Sequence, residues 1–410
     1  MDPRSIDIAS YDYLLPPERI ALHPVHPREE ARLLIYRSGK IRESRFRFLT
    51  EELDQTVQLC VNDSRVIPAR LIFEKATGGR VEIFCLEPDA IYPEVSVALG
   101  LRGRVIWRCL IGGASKWKKG QALLLELPGG PAPVWLRAHF LEKGETDFRI
   151  EFEWPESAGS FGEVLERAGR IPLPPYLKRS VEEQDKTDYQ TTYAAADGSV
   201  AAPTAGLHFS DELLESLHKK GVERLDLTLH VGAGTFKPVT ATRLSDHPMH
   251  GEWIHLHRPS IERLLAHRGK RVAVGTTVLR TLESIYWLGA RLTLDKNASL
   301  DRLTQWEPYD FERQVPVTQS LEAILNRMET AGTDSLWART ELLMAPGYRL
   351  RMAEGLITNF HQPKSTLLLL ISAIVGENWR NIYSYALEND FRFLSYGDGS
   401  LLWRDLSAND

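Results

Sequence analysis

Hydrophobic and polar positions follow two rhythms along this chain. Between residues 71 and 154 the apolar residues come in short runs, at 81–86, 95–99, 105–111, 122–127, 134–140 and 148–152. Gly78, Gly79, Gly112, Gly113, Gly129, Gly130, Pro131 and Gly144 punctuate them. Short strands with such turns predict a small antiparallel β-barrel. No amphipathic helix stands out there.

On either side the rhythm lengthens. Residues 210–221 predict a helix: Ser210 is a good N-cap, Asp211 and Glu212 fall in the first turn, and Lys219 and Lys220 in the last, with Gly221 beyond. Next, Leu225, Leu227, Leu229 and Val231 face one way while Asp226, Thr228 and His230 face the other, the period of a strand. Helices are predicted over 260–267, 278–288 and 321–328, with a strand over 271–274. Residues 295–340 otherwise read as irregular, around Trp306, Pro308, Tyr309 and Pro316. Strands alternating with helices imply a largely parallel sheet. The predicted fold class is therefore α/β: a mixed, largely parallel sheet with helices, built from residues 1–70 and 154–410. An antiparallel β-barrel over 71–153 interrupts it.

The run GLITNFHQPKSTLLLL at 355–370 carries the strongest local signal. An apolar strand (Leu356, Ile357) ends in Thr358, Asn359 and His361, and Ser365 and Thr366 then open a leucine-rich buried helix. Polar tips at the carboxyl end of a strand, beside a helix N-terminus, are how α/β proteins build ligand sites.

Composition narrows the class. The 410 residues suffice for two domains, and 26% charged with 43% hydrophobic residues is ordinary for a soluble globular chain. A net charge of −5 excludes a wholesale nucleic-acid coat but not a local basic patch. Cys60, Cys85 and Cys109 are scattered, without metal-knuckle or disulfide spacing, which suits a reducing cytoplasm. The opening MDPRSIDIASYDY does not resemble a signal peptide, and the apolar run at 367–375 is too short to span a bilayer.

Several other clusters carry candidate chemistry. In AAPTAGLHF (201–209), Pro203 and Gly206 hold an irregular turn that presents Thr204 and His208; a tight turn with a satisfied histidine is the plainer alternative. LHVGAGTF (229–236) leads to His247, His250 and Glu252. With His230 these are a possible metal set, although Pro248 and Gly251 argue against one helix presenting both histidines. Equally, His250 and Glu252 suit acid–base work or a hydrogen bond to a sugar. VAVGTTVLRTLES (272–284) ends a strand in Gly275 and opens a helix with Thr276 and Thr277, a site for a carboxylate or ribose hydroxyls. Arg280 and Glu283 share a face of that helix. RFLSYGD (392–398) sets Ser395, Tyr396 and Asp398 after a short strand, Asp398 being either a turn former or a carboxylate facing a cation, and NDSRVIPAR (62–70) adds Asp63 and Arg65. Between Val95 and Leu125 no acidic residue occurs, while Arg102, Arg104, Arg108, Lys116, Lys118 and Lys119 accompany Trp107 and Trp117. Such a surface suits an RNA backbone and an unstacked base; a solvated face over two core tryptophans is the alternative.

Together these strings resemble one family, the S-adenosylmethionine:tRNA ribosyltransferase-isomerases of queuosine biosynthesis. The likeness runs nearly end to end, through YDYLLPPERIALHP, NDSRVIPARL, IPLPPYLKR, YQTTYA, GSVAAPTAGLHF, HPMHGEW, VAVGTTVLRTLES, LITNFHQPKSTLLLL and RFLSYGD. It implies an α/β domain interrupted by a β-barrel. It also implies transfer and rearrangement of the ribosyl part of S-adenosylmethionine onto 7-aminomethyl-7-deazaguanine at the tRNA wobble position, giving epoxyqueuosine with adenine and methionine released. The donor is a consumed substrate, and the resemblance implies no cofactor and no metal. A cytoplasmic monomer with no membrane association is expected.

Such a reaction needs proton carriers, for which His208, His250 and His361 are the candidates. It needs a carboxylate beside the sulfonium or the amine, for which Glu252 and Asp398 are. Asp63, Arg65, Thr204, Gly206, Thr276, Thr277, Arg280, Asn359 and Thr366 are the binding candidates, and the six barrel cations are the candidates for tRNA. Two rival readings are a metal-dependent hydrolase on His230, His247, His250 and Glu252, and a non-catalytic tRNA-binding protein.

Overall fold

The computed structural model describes residues 2–75, 78–117, 120–129, 133–232 and 241–404. The chain forms two compact units. One comprises Met1–Asp63, Thr191–Ala194 and Pro203–Asp410; the other comprises Ser64–Gln190 and Ala195–Ala202.

The first unit is built on a ten-stranded mixed sheet. From edge to edge its strands are Arg302–Leu303, Ser335–Thr340, Glu252–His257, Glu223–His230, Val57–Asn62, Lys270–Val274, Gly355–Asn359, Gly399–Trp403, Arg32–Arg37 and Lys40–Arg45. The four central strands, from Glu223–His230 to Gly355–Asn359, run parallel. Glu252–His257 and Gly399–Trp403 flank them antiparallel. The predicted α/β class and the alternation of Leu225, Leu227 and Leu229 are both realised.

Helices cover both faces. Ser210 accepts a hydrogen bond from the Leu213 amide at 3.2 Å, starting the helix Asp211–Lys219. Leu213 and Leu217 of that helix join a core with Leu59, Val61, Val272, Val274, Ile357, Leu401 and Phe46. Arg280, on the helix Thr276–Leu294, reaches Glu252 on the opposite sheet face. The helix Val317–Ala331 packs on Thr276–Leu294. Ser365 caps Thr366–Val375 through the Leu368 amide at 3.2 Å, and Leu368 through Val375 are buried, as an apolar run interrupted only by Ser372 requires.

The second unit holds a six-stranded antiparallel sheet in the order Arg70–Glu74, Arg80–Pro88, Arg104–Gly112, Phe148–Glu153, Val134–Lys143 and Leu123–Leu127. Its first and last strands lie in contact, nearly closing a barrel. One expectation fails in this region, and one pair of alternatives is decided. Residues 95–99, read as a strand, form the helix Val95–Gly100, because a five-residue apolar run suits either period. Trp107 and Trp117 are only 1% and 7% exposed, so they fill the barrel rather than face solvent. In the first unit, the short strand expected before Ser395 is a single bridge between Phe393 and Ile20, and the strand follows Asp398 instead.

Candidate active site

Parallel strands end together. The central four therefore present Asp63, His230, Gly275 and Asn359 at one edge of the sheet. The antiparallel flanks begin there, bringing Glu252 and Asp398 to the same edge. Residues 300 positions apart in sequence thus converge within the first unit.

Asn359 is the hub of one half. Its Oδ1 accepts from the Thr204 hydroxyl at 2.8 Å, and its Nδ2 lies 3.1 Å from Nε2 of His208. With the amide so oriented, Nε2 accepts and His208 carries its proton on Nδ1. Phe46 stacks on the His208 ring at 4.3 Å. Burial, with Arg392 and Arg28 adding to it, lowers the pKa of His208 to about 3. Gly206 lets this turn close, since a Cβ there would stand 2.1 Å from the Tyr193 hydroxyl.

His361 sits beside this hub. Its Nε2 is 3.0 Å from the Thr358 hydroxyl, its backbone N–H donates to the Tyr383 hydroxyl at 3.0 Å, and its carbonyl accepts from the Tyr13 hydroxyl. Burial lowers its pKa to about 3. Both imidazoles are therefore neutral near pH 7 and offer fixed hydrogen-bonding positions rather than charge.

The other half is ionic. Glu252 and Arg280 form a buried pair, with side chains 3% and 8% exposed. Glu252 also accepts from the Gly232 amide at 3.2 Å, and Arg280 donates to the carbonyls of Leu342 and Thr340. Every charge there is matched, as burial demands. Between the halves, Gly275 takes φ +94°, a conformation that favours glycine, and turns the chain into the helix Thr276–Leu294. Among the described residues no side chain caps that helix, and none gives the buried Thr277 hydroxyl a hydrogen-bond partner. A free hydroxyl beside open amides suits a carboxylate or a diol.

The remaining sequence candidates fall as follows. Asp63 accepts from the Thr228 hydroxyl at 2.7 Å, and burial raises its pKa. Asp398 is 2% exposed and accepts from the amides of Arg32 and Arg392 at 3.0 and 2.8 Å, so it staples backbone together. His250 is exposed, two residues before Glu252. Thr366 opens its helix half-buried. Glu283, on the Arg280 helix, is fully buried and accepts from Tyr348, Arg351 and Met352 rather than lining the edge. Arg65 belongs to the second unit, exposed and 3.9 Å from Asp197.

Among the barrel cations, Arg104 pairs with Glu151, Arg108 pairs with Asp147 at 3.0 Å, and Arg102 is exposed. Lys116 lies in the turn Ala114–Lys116; Lys118 and Lys119 lie outside the described residues, as do the last four of LHVGAGTF.

Sequence reading missed Phe46, Tyr13, Tyr383 and Thr228. Only the assembled sheet reveals them, although YDYLLPP already marked the segment of Tyr13. The metal set is not assembled either. His230 shares a face with its cross-strand neighbour Trp253, so it points away from Glu252. Among the described residues no three His, Cys, Asp or Glu side chains are grouped to hold an ion.

Fold and edge site together define an α/β protein with its polar cluster at the carboxyl ends of parallel strands. The profile of the queuosine biosynthesis protein family matches residues 8–402, and the chain belongs to that family. An S-adenosylmethionine:tRNA ribosyltransferase-isomerase of Magnetococcus marinus is 38% identical, over 97% of this chain and 94% of its own. One from Prochlorococcus marinus is 37% identical over 100% of this chain and 97% of its own. A crystal structure of an S-adenosylmethionine tRNA ribosyltransferase from Thermotoga maritima is 27% identical, covers 95% of this chain and 99% of its own, and overlays with a TM-score of 0.45.

Proposed function

We infer that this chain is an S-adenosylmethionine:tRNA ribosyltransferase-isomerase. It moves the ribosyl group of S-adenosylmethionine to 7-aminomethyl-7-deazaguanine at the tRNA wobble position and rearranges the sugar to an epoxycyclopentanediol. Adenine and methionine leave, and epoxyqueuosine remains in the tRNA. The observation that carries this reading is the 38% identity to a relative of that name over 97% of the chain.

The geometry supports it at the carboxyl edge. The open amides at Thr276 and Thr277, with the free Thr277 hydroxyl, suit the methionine carboxylate or the ribose diol. His208 and His361, neutral and fixed by Asn359 and Thr358, suit hydrogen bonds to the sugar and adenine without repelling a sulfonium cation. A cationic imidazole at either place would oppose the donor's charge.

The test is an incubation with S-adenosylmethionine and tRNA carrying the aminomethyl-deazaguanine, followed by mass spectrometry of the tRNA nucleosides. Adenine, methionine and the epoxide nucleoside are expected together, with unmodified tRNA inert. A methylated nucleoside, or no adenine, would overturn the reading. The same reading takes the protein to be a cytoplasmic monomer, to be checked by light scattering.

A further inference from the structure

The sheet face opposite Glu252 carries aromatic groups that the edge site leaves unused. Register aligns Thr228, His255 and Trp337 in one row across three neighbouring strands, and His230, Trp253 and Arg339 in the next. The Trp337 ring lies nearly parallel to His255, with centroids 4.0 Å apart at 6°, and to His230, 5.6 Å apart at 14°. His257 adjoins His255 at 3.8 Å. Trp253, His255, His257 and Trp337 are each half-buried, so π surface stays open on this face.

Two features indicate a ligand. His230 is only 8% exposed, and among the described residues its Nδ1 has no hydrogen-bond partner and neither has the buried Nε2 of His255. Such orphaned buried nitrogens are uncommon in folded proteins. Asp63 stands at the end of the same face, hydrogen-bonded to Thr228. Among the described residues no lysine or arginine pairs with it, and the titratable groups beside it are Asp226 and His257.

We propose that this face binds the modified wobble base, its ring laid on the Trp337, His255 and His230 set and its aminomethyl ammonium held by Asp63. The proposal rests on the activity inferred above and names the part of that substrate this face would recognise. Single-stranded RNA bases stack on tryptophan and histidine and are read at their polar edges by side chains. Burial lowers the pKa of both His230 and His255 to about 4, so these rings are neutral stacking surfaces with a lone pair and an N–H to offer. A half-buried carboxylate with no lysine or arginine partner complements a primary ammonium, and unmodified guanine has none to give it.

The experiment compares two anticodon stem-loop RNAs of one sequence, bearing either 7-aminomethyl-7-deazaguanine or guanine at the wobble position. Binding is followed by tryptophan fluorescence, and turnover is measured on full tRNA. Trp337→Ala should raise KM for the modified tRNA ~5- to 100-fold, the span expected for one stacked base. KM for S-adenosylmethionine should stay put, and Trp337→Phe should recover most of the loss. Asp63→Asn should erase the preference for the modified stem-loop while binding to the guanine form persists; it reads out even where Trp337→Ala folds poorly. Wild-type KM and wild-type preference in these variants would overturn the proposal. Failure of the wild-type enzyme to release adenine would overturn the inferred activity instead.

Discussion

The six-stranded barrel and the carboxyl edge of the mixed sheet treat polar side chains in opposite ways. On the barrel, Arg108 meets Asp147 at 3.0 Å, Arg149 meets Asp89 at 2.5 Å and Arg80 meets Glu74 at 3.0 Å. Opposite charges cancel in pairs whose arginine side chains are at least 29% exposed, and the interior around Trp107, Ile150 and Phe152 stays apolar. At the sheet edge the polar groups are buried, mostly uncharged and partly without partners. Charge density therefore points away from the candidate site in this molecule. The cost of burying polarity points toward it.

Breaking a charge on each side sharpens that contrast most. Arg280→Ala strands the Glu252 carboxylate in the interior and should cost about 3–5 kcal/mol in chemical denaturation. An effect below about 1 kcal/mol would mean that the pair is solvated. Asn359→Ala should come next. Removing the hub frees Thr204 and His208 together, and a misplaced neutral ring should lower kcat ~10- to 100-fold with the fold intact.

The third effect is on pH dependence. His208 and His361 have folded pKa values near 3 against 6.5 in the unfolded chain. Below pH 6.5 the unfolded state takes up protons that the folded state refuses, so stability should fall as pH drops from 6.5 toward 3 and be flat above that window. Melting temperatures should trace this decline, and His361→Asn should make it shallower. A slope unchanged in the variant would count against a buried neutral ring. The smallest effect belongs to the barrel: Arg108→Ala, a side chain 40% exposed, should change stability by less than about 1 kcal/mol.

Much of the architecture was legible because local signals agreed with it. The period-two alternation after residue 224, the Ser210 and Ser365 caps and the leucine run after Thr366 each reappear as elements. What failed or stayed open were places where two outcomes share one local pattern. The apolar run at 95–99 suits strand or helix, and tryptophans among arginines suit an RNA surface or a barrel core. Asp398 read as a turn former or a carboxylate facing a cation; only the folded chain brings the amides of Arg32 and Arg392 to it, with the Arg392 guanidinium at 3.5 Å. Polar residues at strand ends could be named from sequence; their partners could not. The Trp337 and His255 stack was invisible for that reason, because it depends on cross-strand register rather than on any string.

The position of Gly399–Trp403 has a consequence for biosynthesis. It lies inside the sheet, between Arg32–Arg37 and Gly355–Asn359, yet it is translated after every other strand of that sheet. A nascent chain can zip up the barrel early, but a gap waits in the larger unit until this last segment emerges and slots in. Ribosome-stalled intermediates short of it should be protease-sensitive and inactive, so catalytic competence arrives in one late event rather than growing with chain length.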